Sequence, residues 1–119
     1  MIPIRGARTF RAAHDRLGAF LYRGMKRPLE WVEIDFHGNI IGRWTLDFKG
    51  SPVAFSKSGN LYRQRNDGIA VFDRASSTWK QIAEPAEGSL LGADGDDLVF
   101  KIGDRLRWQG VNSLEQARR

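Results

Sequence analysis

The chain has 119 residues, 41% of them hydrophobic and 28% charged, which predicts one globular domain over residues 1–119 and excludes a wholly disordered chain. The absence of cysteine excludes disulfides, thiolate zinc sites and cysteine nucleophiles, and no apolar run reaches the ~20 residues of a membrane span. The net charge of +5 and the lack of a secretory h-region predict a basic, cytoplasmic protein.

Short runs rich in β-branched and aromatic residues follow one another along the chain, and turn sequences such as HGN, KSGN, NDG and ADGDD separate them. This pattern is typical of β-hairpins and predicts an all-β chain. Residues 10–25 leave a helix open as an alternative, because several of their apolar side chains also fall at helical spacing. In the tail, Asn112 or Ser113 can cap a final helical turn. The predicted strands are 9–13, 18–23, 31–36, 40–46, 52–56, 60–65, 69–73, 78–82, 98–102 and 105–109.

The strands repeat along the chain. The segments 21–23 and 61–63 both read Leu-Tyr-Arg, and Val-Phe-Lys at 99–101 is the third copy. Four short strands per unit at a spacing of about 40 residues are typical of a β-propeller blade. The chain therefore holds about three four-stranded antiparallel blades, and the outer strand of the third is absent or lies in the tail. The strands that follow each copy are 31–35, 69–73 and 105–109.

Two of these units end a strand in an aspartate and carry a tryptophan on the next strand. Asp35 precedes Trp44, and Asp73 precedes Trp79. We expect each aspartate to close its turn by accepting backbone N–H bonds. We expect each tryptophan to cover the apolar flank between neighbouring blades.

The segment VFDRASSTWKQIAEP resembles the kelch repeat, in which an aromatic-aspartate pair precedes a polar turn and a tryptophan on the outer strand. Phe72, Asp73 and Trp79 stand at the matching positions. Gln64 and Arg65 stand where that family has paired glycines on the second strand. The resemblance implies a β-propeller built from kelch-like blades.

Three blades are too few to close a ring, because closed propellers usually have four to eight. A half-ring would leave two apolar end faces, which soluble monomers seldom expose. We therefore expect a homodimer in which the first blade of one copy packs on the third blade of the other. The alternatives are a closed β-barrel or sandwich made from the same strands, and a chain that is part of a longer propeller. The residues available to line the end faces are Phe20, Trp31, Trp44, Trp79, Phe100 and Trp108.

Motifs for catalysis or metal binding are weak. The two histidines, His14 and His37, lie in separate turns, so a metal site would require them to meet in space beside a carboxylate. The acidic run at 94–97 lacks the spacing of a calcium loop and is better interpreted as a hairpin turn. The sequence therefore predicts no catalytic residue, metal site or cofactor.

Basic residues occur in every connection between the second and third strands of a unit. Lys26 and Arg27, Arg65, and Arg105 would lie on one face of a propeller and form a binding surface for an acidic protein or polyanion. The alternative is that they are four unrelated solvated bases, with Asp67 and Asp104 neutralising two of them.

Three functions remain open. We expect a non-enzymatic protein-interaction module, a self-associating half-propeller that presents loops to a partner. The first alternative is a nucleic-acid-binding protein that uses its basic N-terminal segment and loops, although no recognised motif supports it. The second is a small propeller hydrolase or lyase subunit with a metal at the ring centre. No membrane partner is predicted.

Overall fold

A computed structural model of the protein describes residues 7–21, 30–46, 53–84 and 87–111. All eleven elements in these ranges are β-strands. Their bounds are β1 Ala7–Ala12, β2 Arg16–Leu21, β3 Glu30–Asp35, β4 Ile40–Thr45, β5 Val53–Phe55, β6 Leu61–Arg65, β7 Gly68–Asp73, β8 Thr78–Ala83, β9 Ser89–Asp94, β10 Asp97–Ile102 and β11 Arg105–Gly110.

The strands form three open antiparallel sheets, each made of strands consecutive along the chain. The first sheet has the order β1-β2-β3-β4, the second β5-β6-β7-β8 and the third β9-β10-β11. The predicted all-β chain with three blade-like sheets is confirmed. No sheet within the described ranges closes into a barrel, which removes that alternative. The third sheet has three described strands rather than four, and its predicted tail, residues 112–119, lies outside the described residues.

Each of the ten predicted strands overlaps a strand of the structure. The possible helix at 10–25 is wrong where the structure describes it, because β1 and β2 occupy this part of the chain. The residue-level alignment of Leu21 with Leu61 is also wrong, since Leu21 ends β2 whereas Leu61 begins β6. The sequence missed β9, whose residues Ser-Leu-Leu-Gly-Ala-Asp include no β-branched or aromatic side chain.

The chain divides into two compact units, Met1–Gly50 and Ser51–Arg119. The first unit contains the first sheet, whose two faces differ. Leu21, Val32 and Ile34 form an apolar cluster on one face. Trp31 and Glu33 lie on the opposite face and are fully buried.

The second unit contains the second and third sheets, whose facing sides share one core. The first strands of these sheets, β5 and β9, lie next to each other. Burial of such apolar side chains is the main source of folding stability. The buried members of this core are Ala54, Tyr62, Ile69, Ala83, Leu90, Leu98 and Phe100.

Polar contacts also join the second and third sheets. The Gln64 side chain donates from Nε2 to the Gly88 carbonyl at 2.9 Å, and its Oε1 accepts the Leu90 amide at 2.9 Å. The turn before β6 meets the turn before β10, where the Lys57 amide donates to the Gly95 carbonyl at 2.7 Å. These bonds satisfy backbone groups at the ends of the shared core.

Candidate interaction surface

The four basic residues predicted to form a binding surface are only partly covered by the structure. Lys26 and Arg27 lie in residues 22–29, outside the described residues. Arg65 ends β6 and Arg105 begins β11, so both flank a turn between second and third strands, as predicted. Arg65 Nε lies 3.1 Å from Asp67 Oδ1, which places a local acid beside this base. That the four bases share one face stays a prediction.

An open apolar face lies on the third sheet, on the side away from the core. The pairs Val99–Trp108 and Lys101–Leu106 across β10 and β11 place these side chains on one side of the sheet. Leu106 is 53% exposed and Trp108 51%. Leu91, adjacent to the buried Leu90, is 46% exposed. We define the outer face by its apolar residues Leu91, at the register shift of β9, Val99, Leu106 and Trp108; the exposed Lys101 lies on the same face.

Trp108 is held in one orientation on the outer face. Its Nε1 donates to Asp94 Oδ2 at 2.9 Å, so the indole reaches from β11 across β10 towards β9. Gly92 pairs with Val99 on this face, and a Cβ at Gly92 would meet nothing within 4 Å. A fixed, half-exposed tryptophan beside open space is typical of residues that dominate binding energy at protein interfaces.

The edge strand β11 is a second part of this surface. All six residues of β11 pair with β10 without a register shift, and among the described residues no strand pairs with its other side. Arg105 and Arg107 are exposed and alternate along β11 with Leu106 and Trp108. The strand therefore presents bases on one face and apolar side chains on the other.

The first unit has its own exposed apolar residues. Phe36 lies in the turn after β3, and Ile40 and Ile41 begin β4, the outer strand of the first sheet. All three are large and exposed. The first sheet therefore also carries exposed apolar side chains at its outer strand and the turn before it.

The aromatic residues available to line the end faces differ in burial, and whether any of them lines an end face stays a prediction. Trp31 and Phe100 are fully buried, so they do not line an exposed face. Trp79 is partly buried and packs against Phe72, with 5.0 Å between ring centroids, and against the Arg63 guanidinium. Trp108 is the predicted residue that lies on an open face. Leu91 and Leu106 were missed, because the alternation of arginine and apolar residues at 105–108 is typical of a strand whose apolar face is buried.

The turn-closing roles predicted for two aspartates are confirmed. Asp35 Oδ1 accepts the amides of His37 and Asn39, each at 2.9 Å, and the Asn39 bond is the largest cause that lowers the pKa of Asp35. Asp73 Oδ1 accepts the Ala75 amide at 3.0 Å. The pKa of Asp73 is also lowered, mainly by its bond with Lys80.

A buried carboxylate in the first sheet was not predicted. Glu33 Oε2 accepts the Trp31 indole N–H at 3.0 Å, and Oε1 accepts from the Arg16 guanidinium at 3.1 Å. The pKa of Arg16 is raised, first by its bond with Asp15 and then by Glu33. Because both carboxylate oxygens of Glu33 accept internal bonds, this cluster serves the packing of the sheet.

Metal-binding geometry is absent from the part of the chain that the structure describes, where no three His, Asp or Glu residues come close enough to hold an ion. His14 lies in the turn between β1 and β2, and His37 in the turn between β3 and β4. In the acidic turn, Asp94 bonds Trp108 and Asp96 Oδ1 accepts the Ser58 amide at 2.9 Å. Two of its acids therefore make structural bonds.

No helix among residues 7–21, 30–46, 53–84 and 87–111 is long and apolar enough to cross a membrane. Comparison with models of known protein families, with curated proteins and with solved structures found no match.

Proposed function

We propose that the chain is a non-enzymatic protein-interaction module, a kelch-like half-propeller that associates with a second copy and presents loops to a partner. The observation that carries this proposal is the outer face of the third sheet, where Leu91, Leu106 and the fixed Trp108 are about half exposed. Contiguous apolar surface of this kind marks an interaction site on soluble proteins.

A second copy is the partner that explains this face most simply. In a propeller, each sheet packs its faces on its neighbours, and the second and third sheets already share a core in this way. The outer face of the third sheet would be the next packing surface in the series. Two copies related by a two-fold axis would supply six sheets, which lies within the usual size of a closed ring.

Self-association is tested by light scattering over a range of protein concentrations. We expect the wild type to reach twice the 13.5 kDa chain mass. Trp108→Glu should shift the protein to the monomer mass, because it places a charge on the apolar face. Thr78→Glu, at an exposed position of β8 in the second sheet, is the matched control and should behave as the wild type. A monomer mass for the wild type at every concentration would sink the proposal.

Nucleic-acid binding is a second candidate, and one observation favours it. Arg105 and Arg107 are exposed on one face of β11, and the half-exposed Trp108 lies on the opposite face of the same strand. A single-strand binding site has two parts: basic side chains that contact the phosphates, and an aromatic ring that stacks on unpaired nucleobases. A gel shift with single- and double-stranded oligonucleotides over a salt series tests it, and no shift at low salt would remove this candidate.

A further inference from the structure

We propose that the edge of β11 binds an extended acidic segment of a partner protein, which adds to the third sheet as its fourth strand. The inference rests on the proposed function as an interaction module and names the chemistry of the partner. Addition of a strand to an exposed sheet edge is an established mode of peptide recognition, in which backbone bonds supply affinity and alternate side chains supply specificity.

Among the described residues, the third sheet has three strands, whereas the first and second sheets have four each. In the first and second sheets, β4 and β8 pair with the third strand of each sheet. In the third sheet the third strand is β11, and no described strand pairs with its outer edge. Alternate residues of β11 therefore direct backbone N–H and C=O groups away from β10.

The pairing of β11 is also more regular than that of the other outer strands. The β3–β4 pair has a register shift between Glu33 and Ile34, and the β7–β8 pair has one between Ile69 and Ala70. Such irregularities bend a strand and protect its edge from further pairing. The β10–β11 pair has none over its six residues. Of the outer edges that the structure describes, β11 is the one suited to accept a strand.

The side chains of β11 determine which strand fits. A neighbouring strand places each side chain on the same face as the residue directly opposite. Residues of the added strand opposite Arg105 and Arg107 would contact basic side chains. Those opposite Leu106 and Trp108 would contact apolar side chains. The far end of β11 has no arginine, and there Gly110 pairs with the acidic Asp97 of β10. The positive charge of β11 is therefore concentrated at the beginning of the strand. A segment that alternates acidic and apolar residues is the complement.

A second copy of β11 fits this edge poorly. Antiparallel pairing of β11 with itself would bring the two arginines of each copy onto one face of the joined sheet. Like charges in this arrangement repel one another, and charged side chains on edges are a common means of preventing such pairing. Self-association uses the outer face of the third sheet, whereas strand addition uses the edge of β11. The two contacts are therefore geometrically separate.

The test measures binding of the full chain to a labelled peptide by fluorescence anisotropy at about 0.15 M salt. The peptide alternates glutamate and valine over six residues, the length of β11. Two further peptides carry N-methyl groups on the odd or on the even amides, which removes the N–H donors along one edge or the other. A lysine-valine peptide of the same length controls for charge.

We expect the acidic peptide to bind and one of the two methylated peptides to lose affinity by about tenfold or more, because one peptide edge pairs with β11. Arg107→Glu should weaken binding by about tenfold, whereas Lys101→Glu, the same charge change on the central strand β10, should weaken it by less than about threefold. Equal binding of both methylated peptides, equal binding of the lysine peptide, or no binding by the folded wild type overturns the proposal.

The same samples separate this inference from the proposed self-association. Their mass is measured by light scattering at the concentrations used for binding. A monomer that binds the acidic peptide would remove the two-fold assembly and leave strand addition intact. A dimer that does not bind it would remove strand addition and leave the assembly intact.

Discussion

At the scale of single residues, the exposure of a tryptophan depends on its neighbours across the sheet. The indole of Trp31 lies over Gly18, where a Cβ would collide with the ring, and its N–H bonds the buried Glu33. The Phe20 ring packs against it with 4.6 Å between centroids. Trp31 therefore combines apolar burial with a satisfied polar group, whereas the ring of Trp79 is partly buried.

Replacement of Trp31 by alanine should lower the free energy of unfolding by about 3 to 5 kcal/mol, as expected for a fully buried aromatic side chain. It also removes the indole N–H that donates to Oε2 of the buried Glu33. Trp79→Ala is the matched comparison and should cost less, about 1 to 3 kcal/mol, because part of that ring is already in water. Urea unfolding measures both variants. A greater loss for Trp79 than for Trp31 would contradict this order of burial.

The pKa of Asp35 supports a prediction about acid stability. Its folded pKa lies below the unfolded value, because the Asn39 and His37 amides bond the ionised carboxylate. The stabilisation is thus complete above the unfolded pKa and is lost as pH falls through the folded pKa. The urea midpoint of the wild type should approach that of Asp35→Asn as pH drops from about 6 to about 2. The other acids titrate in both proteins, so their effect cancels in the difference between the two urea midpoints. A difference that stayed constant with pH would show that Asp35 makes no such contribution.

At the scale of elements, side chains on β6 connect one sheet to the next. The Gln64 side chain on β6 donates to the Gly88 carbonyl just before β9 and accepts the amide of the buried Leu90 on β9. A glycine at this position would lack both bonds. β9 is an edge strand of the third sheet and pairs with β10 on one side. The Gln64 amide group thus supplies hydrogen bonds that an edge strand does not obtain from a second neighbouring strand.

Gln64→Leu should destabilise the protein by about 1 to 2 kcal/mol, since two hydrogen bonds are lost while side-chain volume is retained. The sharper readout is hydrogen exchange, where the Leu90 amide should exchange faster than in the wild type. Gln109→Leu on β11 is the matched control and should leave Leu90 exchange unchanged. If Leu90 exchanged equally in all three proteins, the Gln64 bond would carry no stabilising role.

At the scale of the whole molecule, charge and apolar surface are proposed to serve different contacts. Self-association is assigned to the outer face, and recognition of an acidic partner to bases at turns and on β11. Arg65 and Arg105 both lie in the second unit, next to equivalent turns. Such charges raise the rate of encounter more than they add affinity, and salt weakens their effect.

The triple variant Arg27→Glu, Arg65→Glu and Arg105→Glu should remain folded and lose binding to immobilised polyglutamate at low salt. The expected cause is the reversal of a positive surface. Circular dichroism checks the fold, and elution salt measures binding. The control reverses Arg5, Arg8 and Arg11 instead. If the turn variant bound as well as the wild type and the control did not, the contact surface would lie in the N-terminal segment.

Strand positions and turn chemistry were predictable because they depend on residues close together in the chain. Runs such as 69–73 and 78–82, separated by polar turns, specify strands locally, and Asp35 and Asp73 close turns with amides two to four residues away. Strand β9 was not predicted, because it contains no β-branched or aromatic residue and so has little β-propensity of its own. It is stabilised by pairing with β10 and by the shared core, which are contacts between distant residues.

Burial, in contrast, was decided by tertiary structure. Trp31 and Trp108 are the same residue type on similar strands, yet Trp31 is fully buried and Trp108 is half exposed. Nothing near either residue in the chain reports which sheet face will be covered, or that Glu33 will be buried with two donors. Side-chain burial depends on surfaces supplied by other strands and sheets, and those surfaces exist only once the sheets have packed.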